Sequence, residues 1–72
     1  MLLIIPNRSG DTKKSFDVSI AADVAAAKEE FDKQRHEGRV AVSNRAEGKT
    51  VITSLDPVLD SQVIFIPSLQ GG

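Results

Sequence analysis

Two continuous apolar runs, Leu2–Ile5 and Val63–Ile66, lie near opposite ends of this 72-residue chain, and they constrain its fold more than any other feature. Four-residue runs rich in isoleucine are too short for a buried helix and fit buried strands. A proline follows each run, Pro6 and Pro67, and proline cannot donate to a sheet ladder. Strands apolar on both faces belong inside a sheet. The two runs are therefore expected side by side, parallel, with a long crossover between them.

The intervening chain supplies that crossover. Asn7, Arg8, Ser9, Gly10 and Asp11 are turn formers, opening a polar loop that includes Lys13 and Lys14. Phe16, Val18 and Ile20 alternate with Ser15, Asp17 and Ser19, which predicts the second strand of a hairpin. From Ala21 the period becomes helical. Asp23 is the expected N-cap, and Val24, Ala27 and Phe31 form one apolar stripe opposite Lys28, Glu29, Asp32 and Lys33. Glu29 and Lys33 are spaced for an i,i+4 pair. Arg35 and His36 suit the negative end of the helix, and Gly38 stands where a left-handed stop is wanted.

Val40 and Val42 indicate a third strand, Asn44 to Gly48 a turn, and Lys49 to Thr53 a short fourth strand. Leu55-Asp56-Pro57 begins another turn. Val58 and Leu59 are expected to form a small apolar plug before Asp60 and Ser61 lead into the final strand.

This order predicts an α+β domain over residues 1–66: a mixed four- to five-stranded sheet with one helix packed on one face. Residues 67–72 are expected as an extended tail. Alternation divides the last strand. Val63 and Phe65 should meet Val24, Ala27 and Phe31 in the core, leaving Ile64 and Ile66 on the open face, near Leu2 or Ile4. That apolar pair is the candidate partner patch.

Composition excludes several functions. Nine basic against ten acidic residues give a net charge of −1, so no global field points to nucleic acid. There is no cysteine and one histidine, His36, which argues against disulfides, a catalytic thiol or a metal constellation. Gly38 and Gly48 lack phosphate-loop spacing, and Ser9, Ser43 and Thr53 have no neighbouring base pattern. The chain is expected to have no catalytic residues, metal or cofactor of its own. The opening Met-Leu-Leu-Ile-Ile is too short for a signal peptide, and no run approaches the ~20 residues of a membrane span. A cytoplasmic location is expected.

The remaining signal is Pro67-Ser68-Leu69-Gln70-Gly71-Gly72. Six extended residues reach roughly 20 Å. Glycine allows a close backbone approach that a Cβ would block. A narrow enzyme channel could therefore admit Gly71 and Gly72 and act on the terminal carboxyl.

With these residues in view, the chain resembles the ubiquitin-like β-grasp superfamily, which includes ubiquitin and the bacterial sulfur carriers of molybdopterin and thiamine synthesis. Phe65, Pro67, Gly71 and Gly72 match in place the Phe-Phe-Pro-Pro-Val-Ala-Gly-Gly ending typical of molybdopterin-type carriers. Leu59-Asp60 before Val63 echoes their Leu…Asp-Gly-Asp…Val stretch, from which Ser61 and Gln62 depart. The stripe of Val24, Ala27 and Phe31 is similar to that of ubiquitin, and Ile64 and Ile66 fall where ubiquitin places part of its recognition patch. Leu69 and Gln70 stand where ubiquitin has arginines.

The resemblance implies a β-grasp fold with an extended C-terminal diglycine tail. It further implies ATP-dependent adenylation of Gly72 by a ubiquitin-activating-type partner that recognises Gly71, Gln70 and Leu69. Three functions follow in order. The first is a protein modifier conjugated to target proteins, with a conjugating enzyme and an isopeptidase as further partners. The second is a sulfur carrier with a Gly72 thiocarboxylate, for cofactor or tRNA thiolation. The third is a non-covalent interaction module. Ser68-Leu69-Gln70 and Ser61-Gln62 depart from the carrier pattern and place the modifier first.

Overall fold

The two apolar runs pair as their composition dictates. In the computed structural model, which describes residues 1–7 and 9–67, β1 (Leu2–Asn7) and β5 (Gln62–Pro67) run parallel, with Leu2 opposite Gln62 and Ile4 opposite Ile64. Between them come β2 (Gly10–Ser15), α1 (Ala21–His36), β3 (Arg39–Arg45) and β4 (Gly48–Ile52). The sheet order is β2-β1-β5-β3-β4, and every pairing other than β1–β5 is antiparallel. One helix and a five-stranded mixed sheet make an α+β fold compatible with a β-grasp. The expectations for Leu69, Gln70, Gly71 and Gly72, and with them the diglycine tail, lie outside the described residues.

The core gathers Leu3, Ile5, Ala27, Phe31, Ala41, Ile52, Val63 and Phe65, flanked by Met1, Phe16 and Leu55. The rings of Phe31 and Phe65 stand 5.8 Å apart and tilted by 58°, within the range that favours aromatic pairs. Val24 was expected in this cluster. It is only half-buried and stands outside it, while Gln34, one turn beyond Phe31, is buried.

The second strand differs from expectation. It is the polar segment Gly10–Ser15, exposed throughout, and Lys13 and Lys14 lie within it rather than in a loop. The hairpin closes tightly, with Asn7 opposite Gly10, so pairing resumes at once. An edge strand exposed at every residue carries no apolar face, which is why period-two reading missed it. Phe16 to Ile20 instead form the link into α1. The Phe16 and Met1 backbones bond each other, Phe16 N to Met1 O at 2.8 Å and the Met1 ammonium to Phe16 O at 2.9 Å. Asp17 accepts from both the Ser19 amide and hydroxyl, at 2.9 and 2.6 Å. Val18 and Ile20 remain about half exposed.

The helix starts earlier than its expected cap. Ile20 occupies the capping position without a side-chain bond. Asp23, in the first turn, reaches back to accept the Asp17 amide at 2.9 Å, where its charge still suits the positive end of the helix. The C-terminus follows the sequence reading. Gly38 adopts φ +93°, and the amides of Glu37 and Gly38 bond the carbonyls of Lys33 and Arg35.

The expected Glu29–Lys33 pair is replaced, among the described residues, by Glu30. Its carboxylate accepts from Lys14 Nζ at 2.8 Å and Gln34 Nε2 at 2.6 Å. Gln34 Oε1 in turn accepts Arg39 Nη1 at 2.6 Å. This chain of bonds ties β2, α1 and β3 together. The Glu30 carboxyl is held below its usual range chiefly by the Lys14 hydrogen bond, then by that of Gln34.

Candidate partner surface

One helix covers one sheet face, so the other depends on its own residues. On β5, Val63 and Phe65 point to the helix and are fully buried, while Ile64 and Ile66 point away, at 39% and 42% exposure. The register extends this pair across the sheet. Ile4 on β1 faces Ile64, Ile64 faces Val42 on β3, and Val42 faces Val51 on β4. Val40 stands beside Ile66. The row is bounded by Lys13, opposite Ile4 on β2, and by Lys49, two residues from Val51 on the same face. Ile4 is 8% exposed yet stands outside the core cluster. Val51, at the sheet edge, is 65% exposed.

The sequence reading singled out Ile64 and Ile66 and missed Val40, Val42 and Val51. The signal was present: on β3 the buried residues are the small Ala41 and Ser43, which leaves the two valines for the opposite face. Valines in a strand are ordinarily read as the core side, and only the position of the helix reverses that.

A second feature lies at the end of the sheet where β5 begins. Asp60 is completely buried. Its Oδ1 accepts Ser43 Oγ at 2.6 Å and Arg45 Nε at 2.7 Å. Its Oδ2 accepts the Asp56 amide at 2.7 Å and Arg45 Nη2 at 3.2 Å. Burial pushes this carboxyl up, but the Arg45, Ser43 and Asp56 donors together outweigh it and hold it below the usual carboxylate range. Asp56 Oδ1 accepts the amides of Val58 and Leu59. The turn is thus fixed by two carboxylates rather than by apolar contacts. The expected plug of Val58 and Leu59 does not form: these side chains are 87% and 52% exposed. Asp60, read from sequence as a turn residue, is the anchor of the segment.

No matching family model, curated protein or solved structure was found for this chain.

Among the described residues no group of three or more His, Cys, Asp or Glu could hold a metal ion, and no helix is long and apolar enough to cross a membrane. His36 lies exposed in the last turn of α1. The open face offers an apolar row with a lysine at either side. Such a face suits a protein partner with an apolar stripe.

Proposed function

We propose that this chain is a ubiquitin-like protein modifier, activated by ATP-dependent adenylation of Gly72 and joined to target proteins through it. The observation that carries this reading is the position of β5. It is the central strand, bonded to β1 on one side and β3 on the other, and in the sequence Gly71-Gly72 follow shortly after its last residue, Pro67. A segment attached to a strand paired on both sides starts from the best-anchored part of a sheet. The open face of that same strand carries Ile64 and Ile66, beside the place where the segment departs.

The chemistry needs nothing from this chain except its carboxylate. The Gly72 carboxylate attacks the α-phosphorus of ATP bound to the activating enzyme, pyrophosphate leaves, and an acyl-adenylate forms. A thiolate of the partner displaces AMP to give a thioester. A target amine then displaces the thiol and forms an amide. Ile64 and Ile66 would dock on the activating enzyme, which recognises Leu69, Gln70 and Gly71 in its channel. A conjugating enzyme and an isopeptidase complete the set of partners.

A sulfur carrier is the second reading, favoured by Phe65 and Pro67 in their places before the diglycine. Here a persulfide of the partner displaces AMP, and reduction of the acyl disulfide by a thiol leaves a thiocarboxylate on Gly72.

Intact-mass analysis of the protein from its native cells separates these readings. Adducts on target amines through Gly72 support the modifier. A terminal oxygen replaced by sulfur supports the carrier. Deleting Gly72 should abolish activation and leave the melting temperature unchanged. If no candidate activating enzyme of the same genome adenylates Gly72, and its deletion has no phenotype, both readings fail and a non-covalent module remains.

A further inference from the structure

The two edges of the sheet are β2 and β4, and they differ in chemistry. β2 carries Asp11, Lys13 and Lys14 in six residues. Charges of this kind guard an edge against pairing. β4 reads Gly-Lys-Thr-Val-Ile, with one charge, no proline and three β-branched residues in succession. Its outer side presents backbone N–H and C=O groups that, among the described residues, no other strand of the sheet pairs. What completes such an edge is another strand.

We propose that the strand comes from a second copy of this chain: β4 pairs antiparallel with β4 of the second copy, about a two-fold axis at Val51. Three observations carry this. The apolar row Ile4–Ile64–Val42–Val51 ends abruptly at this edge, on a valine 65% exposed. Directly opposite residues in an antiparallel pair share a face. Val51 against Val51 therefore joins two rows into one continuous apolar stripe across eight strands, four from each copy, with both helices on the other side. In the same register Thr50 meets Ile52 of the second copy, and both belong to the helix side of the sheet. Centring the axis on Lys49 would instead set two ammonium groups face to face, which is unfavourable. Finally, the chain has a net charge of only −1, so little overall repulsion opposes the meeting of two copies.

The pairing is independent of what Gly72 does, and its test is physical. Sedimentation from micromolar to millimolar concentration should show the dimer fraction rising with concentration. Val51→Lys, at an exposed edge position, should remain folded by circular dichroism and lose the dimer. The chain has no cysteine of its own, so single cysteines report the register. Across the axis the two residues at position 51 have Cα atoms about 5 Å apart, within disulfide range. The two at position 49 are offset by four residues, about 13 Å along the strand. Mild oxidation should thus cross-link Val51→Cys into dimers and leave Lys49→Cys monomeric. A wild-type chain that stays monomeric throughout overturns the proposal. So does a Val51→Lys variant that associates like the wild type, or equal cross-linking at the two positions.

Discussion

Replacing Asp60 by asparagine tests the buried anchor and predicts a pH signature. The substitution keeps the volume and removes the charge. Asp60 receives four hydrogen bonds, two of them from Arg45. The amide keeps one acceptor oxygen and turns an NH2 group towards donors, so at least one buried donor loses its partner. Hydrogen bonds to charged groups contribute about 1.5–3 kcal/mol each, and an unsatisfied buried group costs about 1–3 kcal/mol. The Arg45 side chain is 21% exposed and regains water when released, so the net loss should be about 2–3 kcal/mol at neutral pH. For a domain of this size that lowers the melting temperature by roughly 10–20 °C.

The sign of the pH dependence follows from the depressed folded-state pKa of Asp60. The native state holds its proton less tightly than the unfolded chain does. The stabilisation is therefore complete above the unfolded value of about 3.9 and is lost as pH falls below it towards the folded value. Urea unfolding of both chains from neutral to strongly acid pH should show the stability gap constant down to about pH 4 and closing below it. A gap that persists or widens on acidification would refute the reasoning, as would an asparagine variant as stable as the wild type at neutral pH.

Three further perturbations probe the core, the helix end and the open face. Phe31→Ala removes the ring that meets Phe65 and should cost about 3–5 kcal/mol; an unchanged melting temperature would show that the aromatic contact does not hold the domain. Gly38→Ala meets no neighbouring atom, but it forces an alanine to φ +93°. It should cost about 1–2 kcal/mol, and a neutral result in chemical denaturation would contradict that strain. Ile66→Asp sits on a side chain 42% exposed. It should leave the circular dichroism spectrum intact and weaken calorimetric binding to an activating enzyme, whereas an unfolded variant would place Ile66 in the core.

The paired carboxylates explain why the segment before β5 could not be read locally. Val58 and Leu59 look like core residues in a string. Asp56 and Asp60 look like turn residues. Their roles are exchanged because Asp60 meets Ser43 and Arg45, 17 and 15 positions earlier in the chain. No local pattern encodes a partner at that distance. Gly10–Ser15 escaped for a different reason: an exposed edge strand carries no apolar period, and hairpin closure at Asn7 and Gly10 alone establishes it.

By itself, the sequence determined the features that depend on short-range periodicity and local backbone chemistry. These are the two continuous apolar strands and their parallel pairing, the helix with Ala27 and Phe31 inward, the stop at Gly38, and the outward parity of Ile64 and Ile66. The helix and its stop follow from local spacing, the pairing of the two runs from their being apolar on both faces, and the inward side of β5 from Phe65, its largest apolar side chain. Tertiary structure alone decided which face of β3 was inside. Once α1 lay over Ala41 and Ser43, Val40 and Val42 had to turn outward and join Ile64 and Ile66 in one surface. Alternation fixes that successive side chains part to opposite faces, but not which face a helix will cover.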